Sequence, residues 1–113
     1  MKVLILERNL LWTSRFTQTL RSLGHECDVL QSPPQDLNAY RVAIVHLADA
    51  ALDVNEVVSE LKSQGIVVIG HAGHKEVEAL EAGRAAGCDR VATNGEITAK
   101  LPQIIEELGV AAR

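Results

Sequence analysis

A chain of 113 residues, 47% hydrophobic but only 3% aromatic, suits one domain whose core is built from Val, Ile, Leu and Ala. Its formal charge of −4 is spread over interleaved acids and bases, so no clustered basic face is offered to nucleic acid. Cys27 and Cys88 form no C-x-x-C and argue against a disulfide scaffold or a structural zinc site, and the apolar run in "MKVLILERN" is too short for a signal peptide or a membrane span. A cytoplasmic protein with no membrane partner is expected.

Short apolar runs alternate with stretches of helical period. "KVLIL" (2–6) predicts a strand buried on both faces. Trp12, Phe16, Leu20 and Leu23 then recur at spacings of four and three, the inner face of a helix, with Gly24 placed to cap it and Trp12 expected in the core. "ECDVL" (26–30) alternates weakly, as an edge strand does. The two prolines in "QSPPQDLNAY" (31–40) leave room for one helical turn at most. "RVAIVHL" (41–47) predicts a third strand. Asp53 with Glu56 resembles a capping box and opens a helix with a buried stripe of Val54, Val57, Val58 and Leu61, ended by Gly65. "IVVIG" (66–70) is the most apolar strand. A helix is expected from His74 to Ala86 with Val77 and Leu80 inward, then a more polar strand at "DRVAT" (89–93). The last helix should bury Leu101, Ile104, Ile105 and Leu108. Pro102 confines its start to Ala99 or Lys100, where the proline falls in the first turn. "GVAAR" (109–113) reads as a short natural tail.

Five strands alternating with helices imply a parallel sheet, because parallel neighbours need crossover connections. Right-handed crossovers put helices on both faces. The expectation is a single α/β domain over residues 1–113, a three-layer α/β/α sandwich with strand order 2-1-3-4-5 and a short or absent second helix.

The element lengths, the stretches "RSLGHECDVL" and "EAGRAAGCDRVATNG" and the whole chain length resemble the receiver domains of response regulators, a flavodoxin-like fold. The resemblance implies a signalling module whose first strand ends in paired carboxylates for Mg²⁺, whose third ends in a phosphoacceptor aspartate, and whose fourth ends in Ser or Thr. A Lys-Pro follows the fifth. At those positions this sequence carries Glu7 and Arg8, then His46, Gly70 and Asn94-Gly95. One carboxylate beside a guanidinium is a poor magnesium site, and no lysine neutralises charge on a transferring phosphoryl group. The chain reads as a pseudo-receiver, non-enzymatic and without a cofactor. By the same resemblance, the surface of its last two helices, with Lys75, Glu78, Glu81, Arg84, Lys100, Gln103 and Glu107, is the expected docking face for a protein partner or a second copy. The alternative for these residues is an ordinary solvated face of mixed charge.

Histidines gather at the same edge. His46 ends the third strand, and His71 and His74 lie in "GHAGH" after the fourth, with Glu7 across the first strand. Three readings follow: space-filling with one hydrogen bond to a carbonyl or carboxylate, a zinc or nickel site made of Glu7, His46, His71 and His74, or pH sensing by His46 between Glu7 and Arg8. A small-anion sensor adds Arg8 to that set, with "GHAG" as a backbone nest. An atypical phosphoacceptor, His46 or Asp49, is the weaker remaining alternative. His25 in "GHE" reads as a cap or turn residue and Cys88 as structural, and no nucleotide-binding glycine motif is present.

Overall fold

The computed structural model describes residues 1–109; most of the 109–113 tail lies outside the described residues. Five strands form one parallel sheet of order β2-β1-β3-β4-β5: β1 (Lys2–Leu6), β2 (Glu26–Leu30), β3 (Val42–His46), β4 (Val67–Ala72) and β5 (Arg90–Thr93). Four helices connect them: α1 (Leu10–Ser22), α2 (Val54–Ser63), α3 (Val77–Ala86) and α4 (Asn94–Glu107). No helix stands between β2 and β3, as the paired prolines require.

Successive strand residues face opposite sides, and the sheet has two cores. Val3, Ile5, Val42, Ile44 and Ile69 pack with Phe16 and Leu20 of α1 and with Ile97, Leu101 and Ile104 of α4. Leu4, Leu6, Ala43, Val45 and Val68 pack with Val57, Val58 and Leu61 of α2 and with Leu80 of α3. This alternation phases the strand ends. Glu7, His46 and His71 continue the series facing α1 and α4, whereas Leu47 and Gly70 continue the one facing α2 and α3. Pairing is in register: Leu6 lies beside Val45, Val45 beside Gly70, and His46 beside His71.

Several elements depart from the sequence expectations. Helix α4 starts at Asn94, not at Ala99 or Lys100, and carries Pro102 in its interior. A capping box at its start explains this: Glu96 N–H donates to Thr93 Oγ1, and Thr93 N–H donates to Glu96 Oε1. Burial of Ile97, Leu101, Ile104 and Ile105 then offsets a proline that costs about 3 kcal/mol. Helix α3 begins three residues later than His74, so Val77 falls in its first turn and is 59% exposed rather than inward. Leu23 is 44% exposed because it is the C-cap of α1 and not part of its inner stripe. Gly24 follows with φ of 85°, the left-handed conformation a helix end asks of glycine. Val54 is only half-buried, and Asp53 caps α2 by accepting from Glu56 N–H. Strand β4 runs two residues beyond Gly70, which draws His71 into the sheet.

Candidate functional site

The carboxyl end of the sheet carries one buried carboxylate and two imidazoles. Glu7, directly after β1, is 3% exposed. Its Oε2 accepts from His46 Nδ1 at 2.8 Å and from the backbone N–H groups of Arg8 at 3.0 Å and Asn9 at 3.2 Å. Its Oε1 lies 3.0 Å from His71 Nε2, out of line for a good hydrogen bond, and neither atom has another partner. His71 is fully buried, with its edge against the Phe16 ring and Nδ1 2.7 Å from Asn94 Oδ1 at the start of α4. The His46 and His71 rings stack at 4.9 Å with an interplanar angle of 11°. In-register pairing of β3 with β4 makes that stack, and the strand phase aims both rings at Glu7.

Burial alone would raise the Glu7 pKa. The His46 hydrogen bond, the His71 ring against Oε1 and then the Asn9 N–H overcome this and hold it at about 2. The His46 pKa is raised above its ordinary value, first by its bond to Glu7; burial opposes this, and the charges of Glu7, Glu76 and Asp49 add to it. Glu7 is therefore a permanent anion, and His46 readily takes the compensating proton. Two positive rings 4.9 Å apart would repel by about 3 kcal/mol at an effective dielectric constant near 20, so the arrangement favours one cation over two.

A shallow cleft of about 390 Å³ opens beside His46, lined also by Glu7, Arg8, Asn9, Ala48, Asp49 and Ala50. Arg8 spans its mouth, donating from Nε to Asp49 Oδ2 at 2.9 Å and from Nη1 to Gln31 Oε1 at 3.0 Å. The other Asp49 oxygen accepts from Ala51 N–H, so both oxygens of this carboxylate are engaged. Gly70 sits on the opposite face of the sheet. A Cβ there would lie 2.8 Å from Leu47 Cδ2, and a Cβ on Gly83 of α3 would lie 2.6 Å from Leu47 Cδ1. Leu47 thus occupies a slot between two glycines, in the space a serine or threonine at position 70 would need.

Of the predicted site residues, Glu7, His46, His71 and Asn94 come together and Arg8 borders the cleft. His74 does not join them: it lies in the exposed loop before α3. Among the described residues no group of three or more His, Cys, Asp or Glu side chains could hold a metal ion. The residues do not fit Mg²⁺ either: Glu7 Oε2 already takes three donors, its Oε1 faces the buried His71 ring, and the other carboxylate of the cleft, Asp49, is paired with the Arg8 guanidinium. The proposed docking residues Lys75, Glu78, Glu81, Arg84, Lys100, Gln103 and Glu107 are all exposed. Three of them are in ion pairs, Arg84 with Glu81 and Glu107 with Arg90, each at 2.9 Å. His25 meets the N-terminal ammonium at 3.3 Å, at the opposite end of the sheet. Burial pushes the Cys88 thiol up to about 11, which suits a packing role. Leu47 and its two glycines went unnoticed in the sequence, where only Gly70 was marked.

No family model matches the chain, and no curated protein matches it in sequence. Its fold is that of receiver domains. A candidate response regulator from Chloroflexus aurantiacus superposes with a TM-score of 0.80 at 16% identity, covering 99% of this chain and 98% of that one. The receiver domain of the sensor histidine kinase PA1611 from Pseudomonas aeruginosa, solved with magnesium coordinated in its active-site cleft, gives 0.76 at 18%, covering 94% of each chain. HP1043, an orphan response regulator of Helicobacter pylori, gives 0.68 at 21%, covering 96% of each. No helix among the described residues is long and apolar enough to cross a membrane.

Proposed function

We propose that this chain is a receiver-like regulatory module, non-catalytic, that acts by protein–protein contact without being phosphorylated. The observation that carries this reading is the engagement of Glu7 Oε2. That oxygen takes three donors, His46 and the backbone N–H groups of Arg8 and Asn9, while Oε1 faces the buried His71 ring, and a histidine stands where the resemblance expects the acceptor. A phosphoryl group needs cationic compensation as its charge develops, and here the cations are committed: His46 to Glu7 and Arg8 to Asp49. The same bonds argue against Asp49 as a substitute acceptor. The Leu47 slot adds a second reason, because a hydroxyl side chain at position 70 would have to displace the Leu47 methyls, which Gly83 confines on the other side. What is left for signalling is surface. The exposed, mixed-charge faces of α3 and α4, including Lys75, Glu78, Lys100 and Gln103, are the candidate contact area for a protein partner or a second copy.

The test is incubation with Mg²⁺ and acetyl phosphate followed by intact-mass measurement. The chain should remain unmodified under conditions that fully label a competent receiver. A phosphoryl adduct on His46 or Asp49 would overturn the reading.

A further inference from the structure

The His71–Asn94 contact contains a choice that the rest of the site does not. A neutral imidazole has one N–H and one lone pair, whereas a cationic one has two N–H groups. His71 faces the Glu7 carboxylate at Nε2 and Asn94 Oδ1 at Nδ1, so both its nitrogens meet acceptors. A neutral His71 with its proton on Nε2 would instead present a lone pair to Asn94, which must then turn its amide over and donate from Nδ2. The two amide orientations have nearly the same shape, so the turn needs no repacking. The ring is sealed from water, since His71 is fully buried, and Asn94 is half-buried at the first turn of α4.

The proton itself reaches the site through the second ring. His46 is the partly exposed member, its side chain 22% accessible at the cleft, and it stacks on His71 across the shared Glu7. The charged groups that act on His46 come from three elements. Glu7 comes from the end of β1, with Arg8 beyond it; Asp49 comes from the loop after β3 and Glu76 from the loop before α3. Arg8 is neutralised by Asp49, so the local balance favours uptake of one proton by the histidine pair, and repulsion between stacked rings opposes a second.

We propose that Glu7, His46 and His71 form a proton-responsive cluster that takes up a single proton, shared between the two imidazoles, and reports it to the start of α4 by turning the Asn94 side-chain amide. The ligand of this site is the proton, and the bistable element is one amide at a helix N-terminus. The proposal holds whatever the α3 and α4 surfaces contact.

The experiment is a pH titration of the wild-type chain by NMR, following the imidazole ¹⁵N resonances of His46 and His71 and the side-chain amide of Asn94. Both rings should respond at one common midpoint, with a total uptake of one proton. The Asn94 side-chain signals and the Thr93–Glu96 backbone amides should shift at that same midpoint. Glu7→Gln, which removes the shared anion, should abolish the common step. Should that variant fail to fold, His46→Gln, which keeps a donor toward Glu7, should leave Asn94 unresponsive at the wild-type midpoint. Independent titration of the two rings, uptake of two protons in the same step, or an Asn94 side chain silent through the step would each overturn the proposal.

Discussion

Substituting Gly70 by alanine measures how firmly the far side of the pocket is closed. The added Cβ would stand 2.8 and 2.9 Å from the two Leu47 methyl carbons, inside ordinary van der Waals contact. A leucine can often swing its methyls aside. Here it cannot do so freely, because the other wall of its slot is Gly83, where a Cβ would already meet Leu47 Cδ1 at 2.6 Å, and Leu47 is only 4% exposed. Overpacking of this kind costs about 1–3 kcal/mol. The gain from removing a strand glycine is roughly 0.5–1 kcal/mol, so Gly70→Ala should be destabilised by about 1–2 kcal/mol. For a domain of this length that is a fall in Tm of roughly 4–10 °C. Leu47→Ala alone should cost about 2–5 kcal/mol, but it empties the slot. In that background Gly70→Ala should become neutral or stabilising. Urea denaturation of the four proteins in this cycle gives the coupling directly, expected at about 1–3 kcal/mol with sub-additive sign. Additive costs, or a Gly70→Ala protein as stable as wild type, would refute the slot.

The bond between His46 and Glu7 makes stability pH-dependent, and its two limbs have opposite signs. The raised His46 value contributes stability that is complete below about 6.5 and lost as pH climbs through the folded value, whereas the depressed Glu7 value contributes stability present above about 4.5 and lost as pH falls toward about 2. His25, held below its ordinary value by burial and then by the N-terminal ammonium, works against the first limb. The informative quantity is therefore the difference between wild type and His46→Gln in urea melts from pH 5 to pH 9, which should shrink as pH rises; a constant difference would contradict the linkage. Glu7→Ala should cost about 3–5 kcal/mol, because it takes the carboxylate away from the buried His71 and the half-buried His46, and a loss under 1 kcal/mol would show that the contacts are idle. Pro102→Ala restores an N–H toward Thr98 in the middle of α4 and should stabilise the chain by about 1–3 kcal/mol in thermal melts, unless α4 is kinked to suit the proline, in which case nothing is gained. His46→Asp should not confer phosphoryl uptake from acetyl phosphate by intact mass, since it sets a second carboxylate against Glu7 with Arg8 still committed to Asp49 and leaves Leu47 in place; an adduct at position 46 would show that one residue had barred the chemistry.

Strand order, layer count and the missing helix after β2 were legible because each rests on local rules: apolar runs of strand length, crossover geometry and two consecutive prolines. The start of α4 was not. The proline rule outweighed the T-x-x-E spacing of Thr93 and Glu96, although that capping box was equally present in the sequence and is what the helix obeys. The Glu7, His46 and His71 cluster was half legible. Strand adjacency brought the histidines near one another, and the period-two phase shared by "VLILE", "VAIVH" and "VVIGH" would also have aimed all three side chains at one face. His74 fell out because it lies beyond the strand, where no such phase applies. The Leu47 slot could not be read at all, since it depends on how closely α3 approaches β4.

The two departures from receiver chemistry lie on opposite faces of the sheet. His46 and His71 act on the side of α1 and α4, and Leu47 with its glycines on the side of α2 and α3. Neither needs the other: a histidine at position 46 does not force a glycine at position 70, and filling the slot does nothing for the charge on Glu7. Both features set this end of the sheet apart from the residues that the receiver resemblance implies, one in the cleft and one behind it. At the carboxyl edge of a parallel sheet, neighbouring strands deliver their side chains to one point, and here that point holds one anion, two stacked bases and one amide. A phosphoryl group needs cations that are not already committed. A proton needs only a base facing an unpaired negative charge, and that is the arrangement these residues keep.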